Sequence, residues 1–249
     1  MKPHKHHLLL VALVALAALA ATGASTQGAQ ADDAREKKLK EAAEQSSRAA
    51  QAFEAIMRVP DKAIPRNLLA RAKAVAVFPR VIKVAFTVGG QGGRGVVSRH
   101  TDAGWASPVF LRGGGGSVGP QIGASSTDYF LLLMNDESVE ALMKDRFEVG
   151  GEAAVAAGPV GRNAGAATDA LMQAAILSYS RSRGLFAGLS LKGVVLKPED
   201  DLNIAVYGNT AHDLLSESMH ADSAAKGLNA FPQAIGRYTT IPADAAGPK

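Results

Sequence analysis

The chain has no cysteine. That excludes disulfides, thiolate nucleophiles, cysteine metal sites and the acylated cysteine of a lipoprotein anchor. No Walker A lysine motif is present, so nucleotide hydrolysis has no support. The longest apolar run, Leu8 to Ala21, falls short of the roughly 20 residues that a transmembrane helix needs. Net charge is also small. It is +4 over the whole chain, and +2 once Lys2 and Lys5 are set aside with the leader. A nucleic-acid binder would carry a strong basic stripe, so any attraction to an anionic partner must come from local clustering of charge.

The N-terminus reads as an export leader. A basic stretch with Lys2, Lys5 and three histidines precedes the Leu8–Ala21 run, and Ala29-Gln30-Ala31 offers a small-x-small cleavage site. Cleavage is expected after Ala31, with Ala24 as the second site. An export signal on a cysteine-free chain fits a bacterial periplasmic protein. Residues 32–238 are long enough for a single domain with a substantial core. A disordered tail is expected over 239–249.

Asp32 to Arg58 has helical periodicity, through Leu39, Ala42, Ala49, Phe53 and Ile56. Acid-before-base pairs such as Glu54/Arg58 support it, and Pro60 ends it. A second short helix is expected from Pro65 to about Lys73. Beyond it the pattern changes, for twenty of the twenty-six glycines lie between Gly89 and Gly193. Expected strands are Ala74–Phe78, Val96–His100, Trp105–Arg112, Gly119–Ala124, Tyr129–Met134 and Glu148–Val160. A long hairpin is expected over Leu171–Leu196. Asn135 should cap a helix reaching Lys144. Glu199–Val206 reads as a short helix or a strand, and Asp213–Lys226 as a helix stopped by Gly227. The fold class is therefore α+β. N-terminal helices precede a curved, glycine-rich antiparallel sheet or partly closed barrel, with one inserted helix and a C-terminal helix.

Gly90 to Gly95 satisfies the GxGxxG pattern, but a strand-like Val96-Val97 follows where a dinucleotide site needs a helix. A flexible loop or glycine bulge is expected there, and again at Gly113–Gly116. His100, His212 and His220 have no compact ligand spacing, so no metal site is expected. Ser178, Ser180 and Ser182 lack a nucleophile-elbow setting. No catalytic residue and no cofactor are expected.

The basic residues carry more information. Arg66, Arg71, Lys73, Arg80 and Lys83 fall within eighteen positions without an acid. Leu68, Leu69, Val75, Val77, Phe78, Val81 and Ile82 are interleaved with them, so aliphatic stems could rest on lipid while the charges reach headgroups. Arg181, Arg183 and Lys192 form a second group. An ordinary solvated face is the competing reading.

The stretch Tyr179 to Gly193, YSRSRGLFAGLSLKG, places Leu185, Ala187, Leu189 and Leu191 on one face of a strand and Phe186, Gly188, Ser190 and Lys192 on the other. With LLARAKAVAVFP from Leu68, GGRGVVSRHTDAGWASPVFLR, GGSVGPQIGASSTDYFLLLMND, AAGPVGRNAGAATD and the weaker IAVYG at Ile204–Gly208, it resembles the SYLF family over about residues 65–210. That resemblance implies binding of anionic phospholipid, with Arg71 and Lys73 of the RAK triplet matching positions that contact headgroups. In eukaryotic relatives it also implies phosphoinositides and actin, which do not suit an exported bacterial protein. Relatives in bacterial envelopes are often lipoproteins, so this chain departs from them in lacking the anchor cysteine. The expected partner is an anionic phospholipid membrane surface. An envelope scaffold with a protein partner is the alternative, and a hydrolase or transferase is the least supported.

Overall fold

The computed structural model describes residues 32–59, 63–85, 88–118, 123–161, 174–182, 184–189, 191, 193–217 and 227–239. Helix α1 spans residues 32–57, as its periodicity requires. It buries Ala42, Ala49, Phe53 and Ile56. Helix α2, Arg66–Arg71, follows Pro65 and buries Leu68 and Leu69.

Ten strands then form one sheet: β1 Ala74–Ala85, β2 Val88–Thr101, β3 Gly104–Trp105, β4 Val109–Val118, β5 Gly123–Leu133, β6 Phe147–Val149, β7 Val155–Ala157, β8 Ile176–Ser182, β9 Leu185–Gly188 and β10 Val194–Pro198. The main order is β6-β10-β4-β2-β1-β5-β8-β7, with β3 paired to β2 and β9 to β8. A parallel bridge between Val149 and Ala153 brings the two ends of this path together, so the sheet is nearly closed into a barrel. All strand pairs are antiparallel except β7 with β8.

Helix α3, Asp136–Leu142, is inserted after β5 and capped by Asn135, whose side chain accepts a hydrogen bond from the Ser138 N–H. Helices α4, Asp200–Tyr207, and α5, Ala211–Glu217, follow β10. The last helix, α6, is Ala230–Thr239. Its sequence gave no expectation of a helix, because Pro232 and Gly236 obscure the pattern. Pro232 is tolerated in the first turn, where backbone N–H groups have no intrahelical acceptor anyway.

The sheet separates two apolar layers. Val75, Val77, Val96, Phe110, Phe130, Leu132, Leu177 and Tyr179 face outward beneath α1, α2 and α6. Ala76, Phe78, Val81, Leu111, Leu131, Leu196 and Ile176 fill the barrel interior, and α3 and α5 plug one end with Val139, Leu142, Leu214 and Leu215.

Several strands differ from expectation. The glycine runs Gly90–Gly95 and Gly113–Gly116 are not loops. They are paired residues of β2 and β4, opposite each other in register. Neighbouring side chains use the room that the missing Cβ atoms leave: a Cβ on Gly93 would lie 2.8 Å from Val81 Cγ2, and one on Gly95 would overlap the Phe78 ring. Glycine here is a packing partner rather than a break. The expected strand Glu148–Val160 is two short strands at opposite ends of the sheet path. The expected hairpin over Leu171–Leu196 turns at Gly184 as anticipated, but β9 ends at Gly188 and β10 crosses to pair with β4 and β6. The expected helix over Asp213–Lys226 is described only as α5, since residues 218–226 lie outside the described set, and Gly227 has a φ of +91°. The expected leader falls outside the described residues, as does the tail beyond Thr239.

Candidate functional site

Two of the expected basic residues, Arg80 and Lys83, lie on β1, and a bulge divides that strand in two. Between Phe78 and Val81 it gains one residue relative to both neighbours: Phe78 pairs with Tyr129 and Val81 with Thr127 on β5, while Val77 pairs with Val96 and Ile82 with Gly92 on β2. Arg80 occupies the bulge in the left-handed region, at a φ of +54°. Pro79 beside it is accommodated for the same reason, since a bulged residue owes no ladder hydrogen bond. Asp128 of β5 holds the arrangement. Its Oδ1 accepts from the Arg80 backbone N–H at 2.8 Å, and its Oδ2 accepts from Arg181 Nε and Nη2 at 2.9 and 2.7 Å.

Past the bulge the strands run beyond the helices. Val81 still faces inward and is buried, but Ile82 is 49% and Val84 47% exposed on the outer face. Lys83 follows Val81 on the inner face, opposite Gln91 and Ser125. At the same end, the β8–β9 turn leaves Leu185 72% exposed; Leu189, past the end of β9, is 40% exposed, and Phe186 turns back to stack on Tyr179 with centroids 5.5 Å apart. The leucine face of the signature stretch is therefore open from Leu185 to Leu189, while Leu191 is buried in the barrel interior.

The described residues at this end of the barrel lie within 79–85, 88–93, 113–118, 123–128 and 184–186. They contain Arg80 and Lys83, and their one acid, Asp128, is taken up by the Arg80 N–H and Arg181. Neither the Arg80 nor the Lys83 side chain has an ion-pair partner among the described residues. Arg183 and Lys192 lie outside the described residues.

The other predicted residues are elsewhere. Lys73 and Lys83 are ten residues apart on extended chain, roughly 30 Å. Lys73 is at the plugged end, 3.3 Å from Asp136, where Arg99 also reaches Asp136 at 3.2 Å and donates to the Leu215 carbonyl. Arg66 lies over the Tyr238 ring at 5.5 Å, joining α2 to α6. Arg71 is exposed in the last turn of α2. Arg181 is committed to Asp128. The run from Arg66 to Lys83 is thus not one surface, because its spacing in sequence spans the whole length of a strand.

A polar network that no sequence motif announced lies at the waist. Glu199 is buried and accepts from Arg94 and from Arg112 Nη2, the latter at 3.0 Å; Arg94 also reaches Glu41 of α1. Burial alone would raise the Glu41 pKa, but the Arg94 hydrogen bond and charge outweigh it, with help from Lys38, and hold the carboxyl below the usual range. Gln45 donates to the Gly95 carbonyl at 2.8 Å, and Asn203 bonds both backbone groups of Phe110. These contacts tie α1 and α4 to the barrel.

Tyr179 of the signature stretch is fully buried, and its hydroxyl has no partner among the described residues. Burial pushes its pKa well up. A Cβ on Gly158 would overlap its ring, so this part of the signature packs the core. His100 stacks on Trp105 at 4.6 Å, His212 is 3.7 Å from Asp213, and His220 lies outside the described residues. Among the described residues no group of three His, Asp or Glu side chains could hold a metal, and no helix is long and apolar enough to cross a membrane.

Comparison with known proteins finds relatives by sequence. The family described as Ysc84, Las17-binding protein actin regulator, matches residues 114–235. SH3 domain-containing YSC84-like protein 1 of Rattus norvegicus is 36% identical over 182 residues, covering 70% of this chain and 53% of that protein. The human protein of the same name is 39% identical over 160 residues, covering 63% and 46%. Protein YSC84 of Saccharomyces cerevisiae is 34% identical over 174 residues, covering 68% and 37%. The chain thus spans about half the length, or less, of these relatives. It belongs to the Ysc84/SYLF family.

Proposed function

We propose that this protein binds anionic phospholipid membranes, without catalysis, through the open end of its barrel. The observation that carries this reading is the pair Arg80 and Lys83, whose side chains have no ion-pair partner among the described residues, beside exposed Ile82, Val84 and Leu185. The leader sequence supports export, which makes the membrane that of a bacterial envelope met from the periplasm. Two cations near an anionic surface contribute about 2 kcal/mol, screened beyond roughly 8 Å at physiological salt. Burying the half-exposed aliphatic residues adds about 1 kcal/mol each. The sum describes reversible, peripheral attachment.

The test is co-sedimentation with vesicles. Phosphatidylglycerol vesicles should retain the protein at low salt and phosphatidylcholine vesicles should not. Equal retention by the two would end the proposal.

A second reading, docking of a protein, draws on a surface groove between α1 and α4. It is lined by Arg35, Lys38, Ile204 and Tyr207, with Ile204 half exposed. A yeast relative is named LAS seventeen-binding protein 3. One envelope protein retained on the immobilised chain after detergent has removed lipid, and lost with Ile204→Asp, would favour this reading.

A further inference from the structure

Among the described residues seven glycines hold a positive φ, and one residue of any other kind does, Arg80. That conformation crowds a Cβ against the following carbonyl oxygen, which glycine escapes by having none. The backbone of the bulge therefore gains nothing from arginine. The core does not use the side chain either. Arg80 is exposed, and its guanidinium has no hydrogen bond, ion pair or ring contact among the described residues. A strained residue that the surroundings hold in place and the core does not need points to work outside the fold.

The surroundings do hold it. Asp128 is buried and fixes the bulge from behind through the Arg80 N–H at 2.8 Å. Two bonds from Arg181, at 2.9 and 2.7 Å, fix Asp128 in turn. Arg181 also matches the Asp128 charge, so the Arg80 guanidinium is not drawn back onto the carboxylate. The result is a pinned backbone with a free guanidinium. Such a group offers its planar fork of donors to two oxygens at once, the geometry in which arginine takes a phosphate. Ile82, two positions on, is exposed. A phosphate at Arg80 would lie beside apolar surface, as a lipid phosphate lies beside its own acyl chains.

We propose that Arg80 reads the phosphate of a membrane lipid through its guanidinium fork, and that Asp128 and Arg181 are its positioning residues. This rests on the membrane reading and deepens it, because Lys83 then supplies charge alone while Arg80 supplies a geometry. Phosphatidylcholine carries the same phosphate, but its choline ammonium opposes approach of the cations. Free phosphate offers the same oxygens, so it forms one arm of the test.

Co-sedimentation with phosphatidylglycerol vesicles tests the assignment, with thermal unfolding as the check on folding. Arg80→Lys keeps the charge and loses the fork, and should weaken retention about fivefold or more. Lys83→Arg should leave retention within about twofold. Arg80→Gly should weaken it about tenfold and melt no lower than the parent, since glycine suits this backbone. Asp128→Ala removes an acid, which would tighten binding if charges merely summed; it should weaken binding instead. In the Arg80→Gly background Asp128→Ala should change retention no further, whereas a merely structural role would weaken both. Inorganic phosphate at matched ionic strength should leave the protein on the vesicles; displacement would make free phosphate the ligand and overturn the lipid assignment. Parent affinity in Arg80→Lys, with the preference for phosphatidylglycerol over phosphatidylcholine intact, overturns the role of the fork and leaves the membrane reading standing. Tighter binding in Asp128→Ala overturns the positioning role. A parent protein without that lipid preference overturns both the assignment and the membrane reading.

Discussion

The two ends of the barrel carry similar numbers of cations and use them in opposite ways. At the plugged end, Lys73 and Arg99 converge on Asp136, and Arg99 also reaches a carbonyl of α5. Their charge is spent on holding helices in place. At the open end, Arg80 and Lys83 stand among glycines and exposed aliphatic residues, and the acid beside them, Asp128, is occupied by the Arg80 N–H and the Arg181 guanidinium. Availability of a cation to an outside partner depends on its local counter-charge, not on how many cations crowd the sequence nearby.

The sharpest way to break the comparison is through glycine. Gly95 lies midway along β2, where an added Cβ would overlap the Phe78 ring; at Gly116, near the open end, it would meet nothing within 4 Å. Gly95→Ala should lose about 3 kcal/mol of stability through overpacking, and Gly116→Ala should be neutral or slightly stabilising, as thermal unfolding would read. Equal losses would mean that the open end is packed as tightly as the waist.

Next in size is the bulge clamp. Asp128→Ala removes the acceptor for both the Arg80 N–H and the Arg181 guanidinium. It should cost about 2–3 kcal/mol, because a largely buried donor set is left unmatched. A cost within about 0.5 kcal/mol, in the range of ordinary surface substitutions, would show that the bulge does not need its clamp.

Charge reversal compares the ends directly. Lys83→Glu changes the local charge by two units, about 2 kcal/mol at an anionic surface, or roughly thirtyfold in vesicle affinity. Lys73→Glu should leave vesicle affinity within about twofold. If Lys73→Glu proves the more damaging, the membrane face belongs at the plugged end.

The smallest effect lies at the waist. The Glu41 carboxyl is held below its ordinary range in the folded protein. The stabilisation is therefore present above the unfolded carboxylate pKa and is lost as pH falls through the lower, folded value. Glu41→Gln should cost under about 1 kcal/mol at pH 7, since the pair is partly exposed. Its stability should converge with that of the parent in acid. A gap that persists at low pH would assign the loss to packing instead.

Much of this architecture could be read in the residues. The 32–57 helix, the start of α2 at Pro65, the Asn135 cap and the turn at Gly184 are local signals, and local signals sufficed. The glycine strands were hidden, because what fills the space beside Gly93 and Gly95 is Val81 and Phe78 on another strand. The basic site was legible only in composition. Arg66 through Lys83 look like one cluster until the rise of an extended strand separates them. Nothing within a few residues marks Asp128 or Glu199 as a partner of Arg181 or Arg94, which lie 53 and 105 positions away.

A strand carries its in–out alternation as a message carries its reading frame, and Arg80 is one inserted letter. Upstream of it, Ala76 and Phe78 point inward; downstream, Val81 and Lys83 do. Straightening the bulge, with Arg80 kept and drawn into the ladder, would make the alternation unbroken and turn every later side chain over. Ile82 and Val84 would then line the mouth, and Lys83 would face away from it. The polarity of the entrance is set by one backbone position whose side chain takes no part in it.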